Sequence, residues 1–384
     1  MTTIYLIRHA EAEGNLYRIV QGQHNSFVTP RGRKQIAALA ERFKDVHLDA
    51  LYSSDLRRTV ETAGAITKYH DLPMQRTPRL REINLGVCEG MSFGDMYRFD
   101  PVQMDNFNND PGRWSAPGAE SFASCTVRMY SAVMEIGMKN PGKTVAVVSH
   151  GMAIRSLLAA VLNVESCDIP SLPHGDNTAV SKLLFDNDSK TFTVEYYNDN
   201  SHLPPELSTF ARQSWWKKET RGADENNLYY LPLDPNKEGE LYTELYAASW
   251  KAAHGGLAGF NADSYLRSAR EHFAENGRAI LKGFRSSGEL AGIVEKDPVR
   301  SAGAGVGWVS LLYVRPELRG QGLGTQLLGR AITDYEALER KSVRLHVSSE
   351  NENALRFYEN LGFEILGSEP GAGAPLYLME KRFE

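Results

Sequence analysis

Arg8 and His9 are adjacent, and they follow directly on the apolar run Ile4-Tyr5-Leu6-Ile7. A guanidinium can hold an oxyanion through its fork of N–H groups, and a neutral imidazole beside it can act as nucleophile. His150 closes a second apolar run, Thr144-Val145-Ala146-Val147-Val148-Ser149. Arg57 and Arg58 follow a third, Leu48 to Tyr52, and the helix-start signal Ser54-Asp55 places both in a first helical turn. Far downstream, Arg319-Gly320-Gln321-Gly322-Leu323-Gly324-Thr325 sets glycines between a strand-like run and an amphipathic one. Glycines before a helix leave its first N–H groups open to an anion. Two candidate anion sites are therefore written into one chain.

Each group needs an element to place it. Short, wholly apolar runs read as strands buried on both faces of a parallel sheet, and open α/β sheets bind ligands at their carboxyl edge. One strand ending in two polar residues would be an ordinary solvated strand end. If the three strands are neighbours, however, Arg8, His9, Arg58 and His150 converge on one edge, which suits a phosphate. Thr29-Pro30 opens a helix whose inner face is Ile36, Leu39, Ala40 and Phe43. Ser121 to Lys139 forms another, with Phe122, Met129, Val133 and Ile136 inward and Asn140-Pro141-Gly142 as its stop. Ile154, Leu157, Leu158, Val161 and Leu162 make one more helix face, and Lys182–Phe185 with Thr191–Tyr197 predict a closing hairpin. Residues 83–117 are rich in Gly, Asp, Asn and Pro and read as an excursion over the sheet edge, a place for a lid. Pro117-Gly118-Ala119-Glu120-Ser121 then shapes the pocket rim.

Pro204-Pro205 and the polar run Lys217 to Asn227 mark a linker, 204–227, between domains at 1–203 and 228–384. Trp215 and Trp216 within it are expected to dock on one of the domains. Beyond the linker the pattern predicts a strand at 228–233, helices at 239–253 and 262–275, and strands at 278–285, 289–295 and 306–314. The glycine-rich turn follows, then a helix carrying Leu323, Leu327, Leu328, Ala331, Ile332 and Tyr335, a strand at 343–347, a helix at 353–361 and two final strands.

The first half resembles a known family. Arg8-His9-Ala10-Glu11, Ser53-Ser54-Asp55-Leu56-Arg57-Arg58-Thr59, Leu80-Arg81-Glu82-Ile83-Asn84-Leu85-Gly86 and Ser149-His150-Gly151 match, in order and spacing, the motifs of the histidine phosphatase (phosphoglycerate mutase-like) superfamily. Ala10 departs from its more usual glycine. The resemblance implies a three-layer α/β/α fold around a doubly wound, mostly parallel sheet. It also implies metal-independent hydrolysis of a phosphomonoester through a phosphohistidine on His9. Glu82 would be the acid, Arg8, Arg58, Asn15 and His150 would grip the phosphoryl group, and His150 would be protonated. The compact segment between Glu82 and His150 favours a phosphatase over a mutase, and Leu80 to Gly86 with Glu89-Gly90 is most similar to broad-specificity and α-ribazole phosphatase-like members.

The second half, from about 228 to the end, resembles the GNAT N-acetyltransferase superfamily. Arg319-x-x-Gly322-x-Gly324 matches its pyrophosphate-binding motif, and Asn351-x-x-Ala354-x-x-x-Tyr358-x-x-x-Gly362-Phe363 its second motif. The resemblance implies a mixed α/β fold that holds acetyl-CoA, as co-substrate, between two splayed parallel strands. Backbone groups near Leu312 and Val314 would meet the pantetheine arm, residues Arg319 to Thr325 and Asn351 would bind the cofactor, and Tyr358 would protonate the departing thiolate. The acceptor would be an amine. The strand Gly305–Val314 has no carboxylate, so the proton acceptor stays open between water and a residue elsewhere such as Glu295. The chain then reads as a bifunctional enzyme; the alternative is a phosphatase, or a phosphoglycerate mutase-like enzyme, regulated by a non-catalytic, acetyl-CoA-sensing domain.

Composition narrows the remaining classes. The 384 residues suit two or three domains, and 42% hydrophobic with 24% charged residues is ordinary for a globular protein. A net charge of −5 argues against a general nucleic-acid binder. No apolar stretch is long enough for a membrane span or a signal peptide. Cys88, Cys125 and Cys167 are scattered, which fits neither a disulfide framework nor a metal site, so a cytoplasmic enzyme without metal is expected.

Overall fold

In the computed structural model, which describes residues 1–213, 226–371 and 373–383, the chain begins with β1 (Thr2–Arg8), α1 (Glu13–Tyr17), α2 (Pro30–Phe43), β2 (Ala50–Ser53), α3 (Arg57–Thr67) and β3 (Met74–Arg76). Next come α4 (Phe93–Phe99), α5 (Pro101–Asn109), α6 (Phe122–Lys139), β4 (Thr144–Ser149), α7 (Gly151–Val161), β5 (Val180–Asp186), β6 (Thr191–Asp199) and α8 (Thr209–Arg212). The sheet order is β3-β2-β4-β1-β5-β6. Its first four strands are mutually parallel, while β5 and β6 return antiparallel. The wholly apolar runs occupy the middle: Ile4, Leu6, Ile7, Leu51 and Val145 to Val148 are all fully buried. Ile7, Leu51, Ala146 and Val148 share one apolar cluster with Leu39, Phe43, Ala63 and Ile66 of α2 and α3. Ile4, Leu6, Val145 and Val147 have the opposite parity and so face the other layer, to which α6 and α7 belong.

Local chemistry explains most boundaries. Thr29 Oγ1 accepts from Gly32 N at 2.9 Å and Pro30 opens α2; Ser121 caps α6 in the same way. Three expectations need correction. The N-cap of α3 is Leu56, not Ser54 or Asp55: Asp55 makes a double bond pair with the Arg81 guanidinium, both at 2.6 Å, and that leaves its carboxylate unavailable to the helix. Leu162 lies past the end of α7, at its C-cap, and is exposed. The stretch 83–117 is not a bare excursion, because it folds into a 3-10 turn at Gly86–Cys88 and then α4 and α5. Asp100 caps α5 by accepting from Gln103 N. Trp215, Trp216 and residues 217–225 of the expected linker lie outside the described residues.

The remainder runs β7 (Tyr229–Pro232), α9 (Gly239–His254), α10 (Ala262–Glu275), β8 (Ile280–Phe284), β9 (Leu290–Asp297), β10 (Val306–Val314), α11 (Leu323–Ala337), β11 (Ser342–Ser348), α12 (Glu352–Asn360), β12 (Glu364–Glu369) and β13 (Leu376–Arg382). This second sheet is ordered β12-β13-β11-β10-β9-β8-β7 and is mixed, with β10 and β11 its parallel pair. Leu327, Leu328, Ala331 and Ile332 of α11 pack in its main core with Leu281, Val294 and Val343.

The chain divides into two compact units. One comprises Met1–Asn15, Val20–Met91 and Met96–Asp224; the other comprises Leu16–Ile19, Ser92–Asp95 and Glu225–Glu384. Tyr17 and Ile19 accordingly belong to the second unit's main core. Tyr17 lies so close to Gly329 that a Cβ there would sit 2.2 Å from its ring. Ser92 Oγ donates to Leu228 O at 2.8 Å, and Asp95 Oδ1 accepts from Tyr230 N at 2.9 Å.

Candidate functional site

The register of β1 with β4 pairs Arg8 with Ser149, so both strands end at one level and deliver His9 and His150 together. The two rings stand 5.3 Å apart, centroid to centroid. His9 Nδ1 is 2.7 Å from Ala10 O. A carbonyl can only accept, so Nδ1 carries the hydrogen and Nε2 keeps a lone pair. Asn177 Nδ2 donates to His9 O at 2.9 Å and steadies the backbone behind the ring. His150 Nε2 lies 2.9 Å from Ser54 Oγ.

Arg58 enters from the first turn of α3 and is 1% exposed. It donates to Gly22 O at 2.7 Å and His24 O at 2.8 Å. Arg8 donates to Gly175 O. Among the described residues, Arg8 Nε, Arg58 Nε and His150 Nδ1 are buried and without a protein partner. Buried N–H groups are otherwise nearly always bonded, so the two guanidinium Nε–H groups fit an oxyanion with several acceptor oxygens, and His150 Nδ1 adds a third donor when Ser54 Oγ–H donates to Nε2. Asn15 sits on α1 with Oδ1 taking Ala12 N at 3.0 Å, so a phosphoryl oxygen can be met only by its Nδ2. Glu82 lies across the start of α7. Its Oε1 accepts from Ala153 N at 2.8 Å and Ile83 N at 3.0 Å, and its Oε2 accepts from Met152 N at 3.0 Å.

Burial pushes His9 well below the usual histidine range, and the Arg58 and Arg8 charges add to the effect. The ring is therefore neutral at ordinary pH, the form a nucleophile would need. Burial does the same to His150, again reinforced by Arg58 and then by His9 and the other cations. A third buried positive charge beside two guanidinium groups is costly, so the direction for His150 runs against the protonated form expected from the sequence. Burial lowers Arg58 to about 10, which leaves it a cation at neutral pH. Sequence reasoning used Ser54 only as a helix signal and missed its contact with His150. Gly151, the last residue of the Ser149-His150-Gly151 motif, is close to the cage: a Cβ there would come 3.2 Å from Arg8 Nε.

In the second unit, β10 and β11 pair only from Val306↔Ser342 to Val309↔Leu345, although the strands continue to Val314 and Ser348. They part beyond that point, and β10 has a bulge between Val309 and Leu311. A cleft of about 1140 Å³ opens there. Leu312, Val314, Arg319, Gly320, Gly322, Leu323, Gly324, Thr325, Asn351 and Tyr358 line it; Gln321, the other member of the expected set, does not. Gly320 and Gly322 have φ of 77° and 79°, and Gly322 is the N-cap of α11. Only glycine takes that left-handed conformation without strain, and it leaves the first N–H groups of α11 facing the turn. These donors, with Arg319 at the rim, fit a pyrophosphate. Asn351 also caps α12, its Oδ1 accepting from Ala354 N. Tyr358 is buried, which pushes its hydroxyl up and keeps it a proton donor. Glu295, raised as one possible base, is a lining residue as well. Among the described residues no cluster of His, Cys, Asp and Glu is arranged to hold a metal ion, and no helix is long and apolar enough to cross a membrane.

Comparison with known proteins divides at the same place. Residues 4–200 match the model of the histidine phosphatase superfamily (branch 1), and residues 241–363 match that of the acetyltransferase (GNAT) family. The chain is similar to phosphoserine phosphatase 1 of Hydrogenobacter thermophilus, with 33% identity over 165 residues, 43% of this chain and 78% of that protein. It is also similar to the probable phosphoglycerate mutase GpmB of Escherichia fergusonii, with 30% identity over 206 residues, 53% of this chain and 95% of that protein. Among solved structures it resembles Bacillus stearothermophilus YhfR, with 33% identity and a TM-score of 0.51, covering 53% of this chain and 99% of that one. On this match the chain belongs to the histidine phosphatase superfamily, branch 1, and it carries a GNAT-family acetyltransferase domain in the same polypeptide.

Proposed function

We propose that the chain is a bifunctional enzyme, the first half hydrolysing a phosphomonoester without a metal and the second transferring acetyl from acetyl-CoA to an amine. One observation carries the first activity: a neutral, buried His9, its Nε2 lone pair free, beside the unpartnered donors of Arg8, Arg58 and His150. Nε2 attacks phosphorus. The charge that spreads over the equatorial oxygens meets the two guanidinium groups, Asn15 and His150. Glu82 gives a proton to the leaving oxygen and then takes one from the water that hydrolyses the phosphohistidine. His150, neutral in the free site, contributes an N–H rather than a charge. Both a phosphatase and a probable mutase stand among the relatives; the compact segment between Glu82 and His150 supports hydrolysis.

The parted strands β10 and β11 carry the second activity. The pantetheine arm lies between them along Leu312 and Val314, the pyrophosphate sits on Gly320 to Thr325, and Tyr358 protonates the thiolate. The test is a paired screen of the full chain. Phosphomonoesters are followed by phosphate release in excess chelator, and acetyl-CoA is followed by calorimetric binding and by thiol release over amines. Activity lost in chelator and restored by Mg²⁺ overturns the metal-free reading. Acetyl-CoA that binds and alters phosphate release, with no thiol formed, makes the second unit a sensor.

A further inference from the structure

The acetyl-CoA cleft contains a polar network with no place in the motifs that led to it. Glu295 is 1% exposed, yet it lines the cleft. The Tyr242 hydroxyl of α9 donates to its Oε2 at 2.8 Å. His272 of α10 places Nδ1 2.7 Å from its Oε1, and the other ring nitrogen faces Asp297 Oδ2 at 3.3 Å. Two helices, α9 and α10, thus hold one carboxylate of β9. Its position is specific, since β9 pairs Glu295 with Leu311, the residue at which β10 resumes after its bulge. That is where the strands part and where the backbone continues to Leu312. β10 itself, Val306–Val314, contains no Asp or Glu.

The wall near this carboxylate is aromatic. Tyr246 and Tyr265 stack at 4.2 Å, and Trp250 lies 5.8 Å from Tyr265. All three line the cleft. Aromatic faces favour apolar bodies and cations alike.

Building on the acetyltransferase reading above, we propose that Glu295 takes the proton from the acceptor, a primary amine whose apolar or aromatic body lies along Tyr246, Trp250 and Tyr265, while Tyr242, His272 and Asp297 are positioning residues. The amine enters as an ammonium. One N–H bond breaks and an O–H bond forms on Glu295, which frees the nitrogen lone pair. The lone pair attacks the thioester carbon, the C–S bond breaks with its electrons on sulfur, and Tyr358 protonates the thiolate. Tyr358 recovers a proton from the acetylated nitrogen, and Glu295 releases its own to solvent. The products are the amide, free CoA and one proton.

The surroundings suit that cycle. Burial lowers the His272 imidazole, but the Glu295 hydrogen bond and the Glu295 and Asp297 charges outweigh it, and the net direction is up. The ring nitrogens lie within reach of both carboxylates, Nδ1 against Glu295 and Nε2 against Asp297, and this geometry holds the Glu295 side chain at the cleft. The groups facing Glu295 are Tyr242 and Tyr246 from α9, His272 from α10 and Asp297 on its own strand; β10 presents the apolar Leu311. Burial and the Glu295 charge push both tyrosines up, so they stay neutral.

The experiment uses the full chain, with thiol release measured from pH 5.5 to 9 on benzylamine, phenethylamine, tyramine and spermidine, and acetyl-CoA binding measured separately. Glu295→Gln should lower kcat about 100-fold or more, the scale of a lost general base, with acetyl-CoA affinity kept within about twofold. His272→Gln should keep partial activity and alter the pH profile of kcat/KM, because a titrating group hydrogen-bonded to Glu295 is replaced by one that does not titrate. A Glu295→Gln protein with wild-type kcat and pH profile overturns the proposal, as does wild-type transfer to spermidine tenfold better than to all three arylalkyl amines. If wild type binds acetyl-CoA but acetylates none of the four, the acceptor assignment falls and the cofactor site stands. If it does not bind acetyl-CoA, the transferase reading itself falls. Should the Gln variant fail to fold, Glu295→Asp replaces it and should lower kcat with affinity kept; unchanged kcat would overturn the proposal.

Discussion

At the scale of single residues, burial sets both the chemistry and a cost. His9 and His150 are held neutral in a site already occupied by two guanidinium groups, and His202 is lowered to about 4, chiefly by burial and then by Arg42. A nucleophile that stays unprotonated below the ordinary histidine range should work in mild acid. We expect single-turnover formation of the phosphoenzyme to persist at pH 6, measured by quenched flow with a chromogenic phosphomonoester. The same shifts destabilise the fold in acid. In the unfolded chain these rings take up protons near their ordinary value of 6.5, whereas in the folded chain they do not, so the unfolded state binds more protons. The contribution of these rings should therefore be level above about pH 7.5 and fall progressively below about 6.5. Denaturant titrations at several pH values check this, and the acid slope should shrink in His202→Phe. His9→Ala should abolish both turnover and the acid-labile phosphoryl label, with a loss on the order of 10³-fold or more. It should leave acetyl-CoA-dependent thiol release unchanged, because Tyr358, Glu295 and the glycine turn belong to the other unit.

Elements place these residues, and their legibility in the sequence followed how local the cause was. The strands ending at Arg8 and Ser149 were readable because a wholly apolar run has few alternatives, and the histidines at their ends came with them. The parting of β10 and β11 was foreseen only through resemblance, since nothing in the spacing of a strand says where its partner leaves it. Two short helices within 83–117 were hidden by their small apolar faces. The charge of His150 was not legible, because it depends on burial and on Arg58, 92 residues away in the chain by its numbering. The Glu295 network draws on α9, α10 and β9, and no single-segment pattern could show it. The glycine turn before α11 divides into two kinds of glycine. Gly322 has a left-handed φ, whereas a Cβ on Gly324 would meet only Val314 and Phe357 at 3.5 and 3.6 Å, an ordinary contact. Gly322→Val should therefore cost about 1–2 kcal/mol of stability and weaken acetyl-CoA binding. Gly324→Ala should leave the melting temperature unchanged. Thermal melts with and without acetyl-CoA distinguish the two.

For the whole molecule, the segmental make-up of the second unit outweighs the position of the linker. A cut within 204–227 looks like a clean division on sequence, and 1–203 and 228–384 remain our proposed domains. Yet the second unit also contains Leu16–Ile19 and Ser92–Asp95. A fragment beginning at Asn226 would lack Tyr17 and Ile19 from its core and the Ser92 and Asp95 bonds to Leu228 and Tyr230. Removing two large buried side chains typically costs several kcal/mol, about 3–5 for an aromatic alone. We expect the fragment to melt well below the second unit in the intact chain, by calorimetry. Adding back a cyclised peptide of residues 14–21 should raise its melting temperature.

The close approach of Tyr17 to Gly329 also has a consequence for synthesis. A ribosome delivers Gly329 312 residues after Tyr17 (329 − 17). Domains usually fold as they emerge, the first ahead of the second. Here part of the second unit's core must wait, solvated, until the intervening residues are made. Chains stalled at residue 213 should be nicked by chymotrypsin after Tyr17, and the same bond should become resistant once the full chain is released.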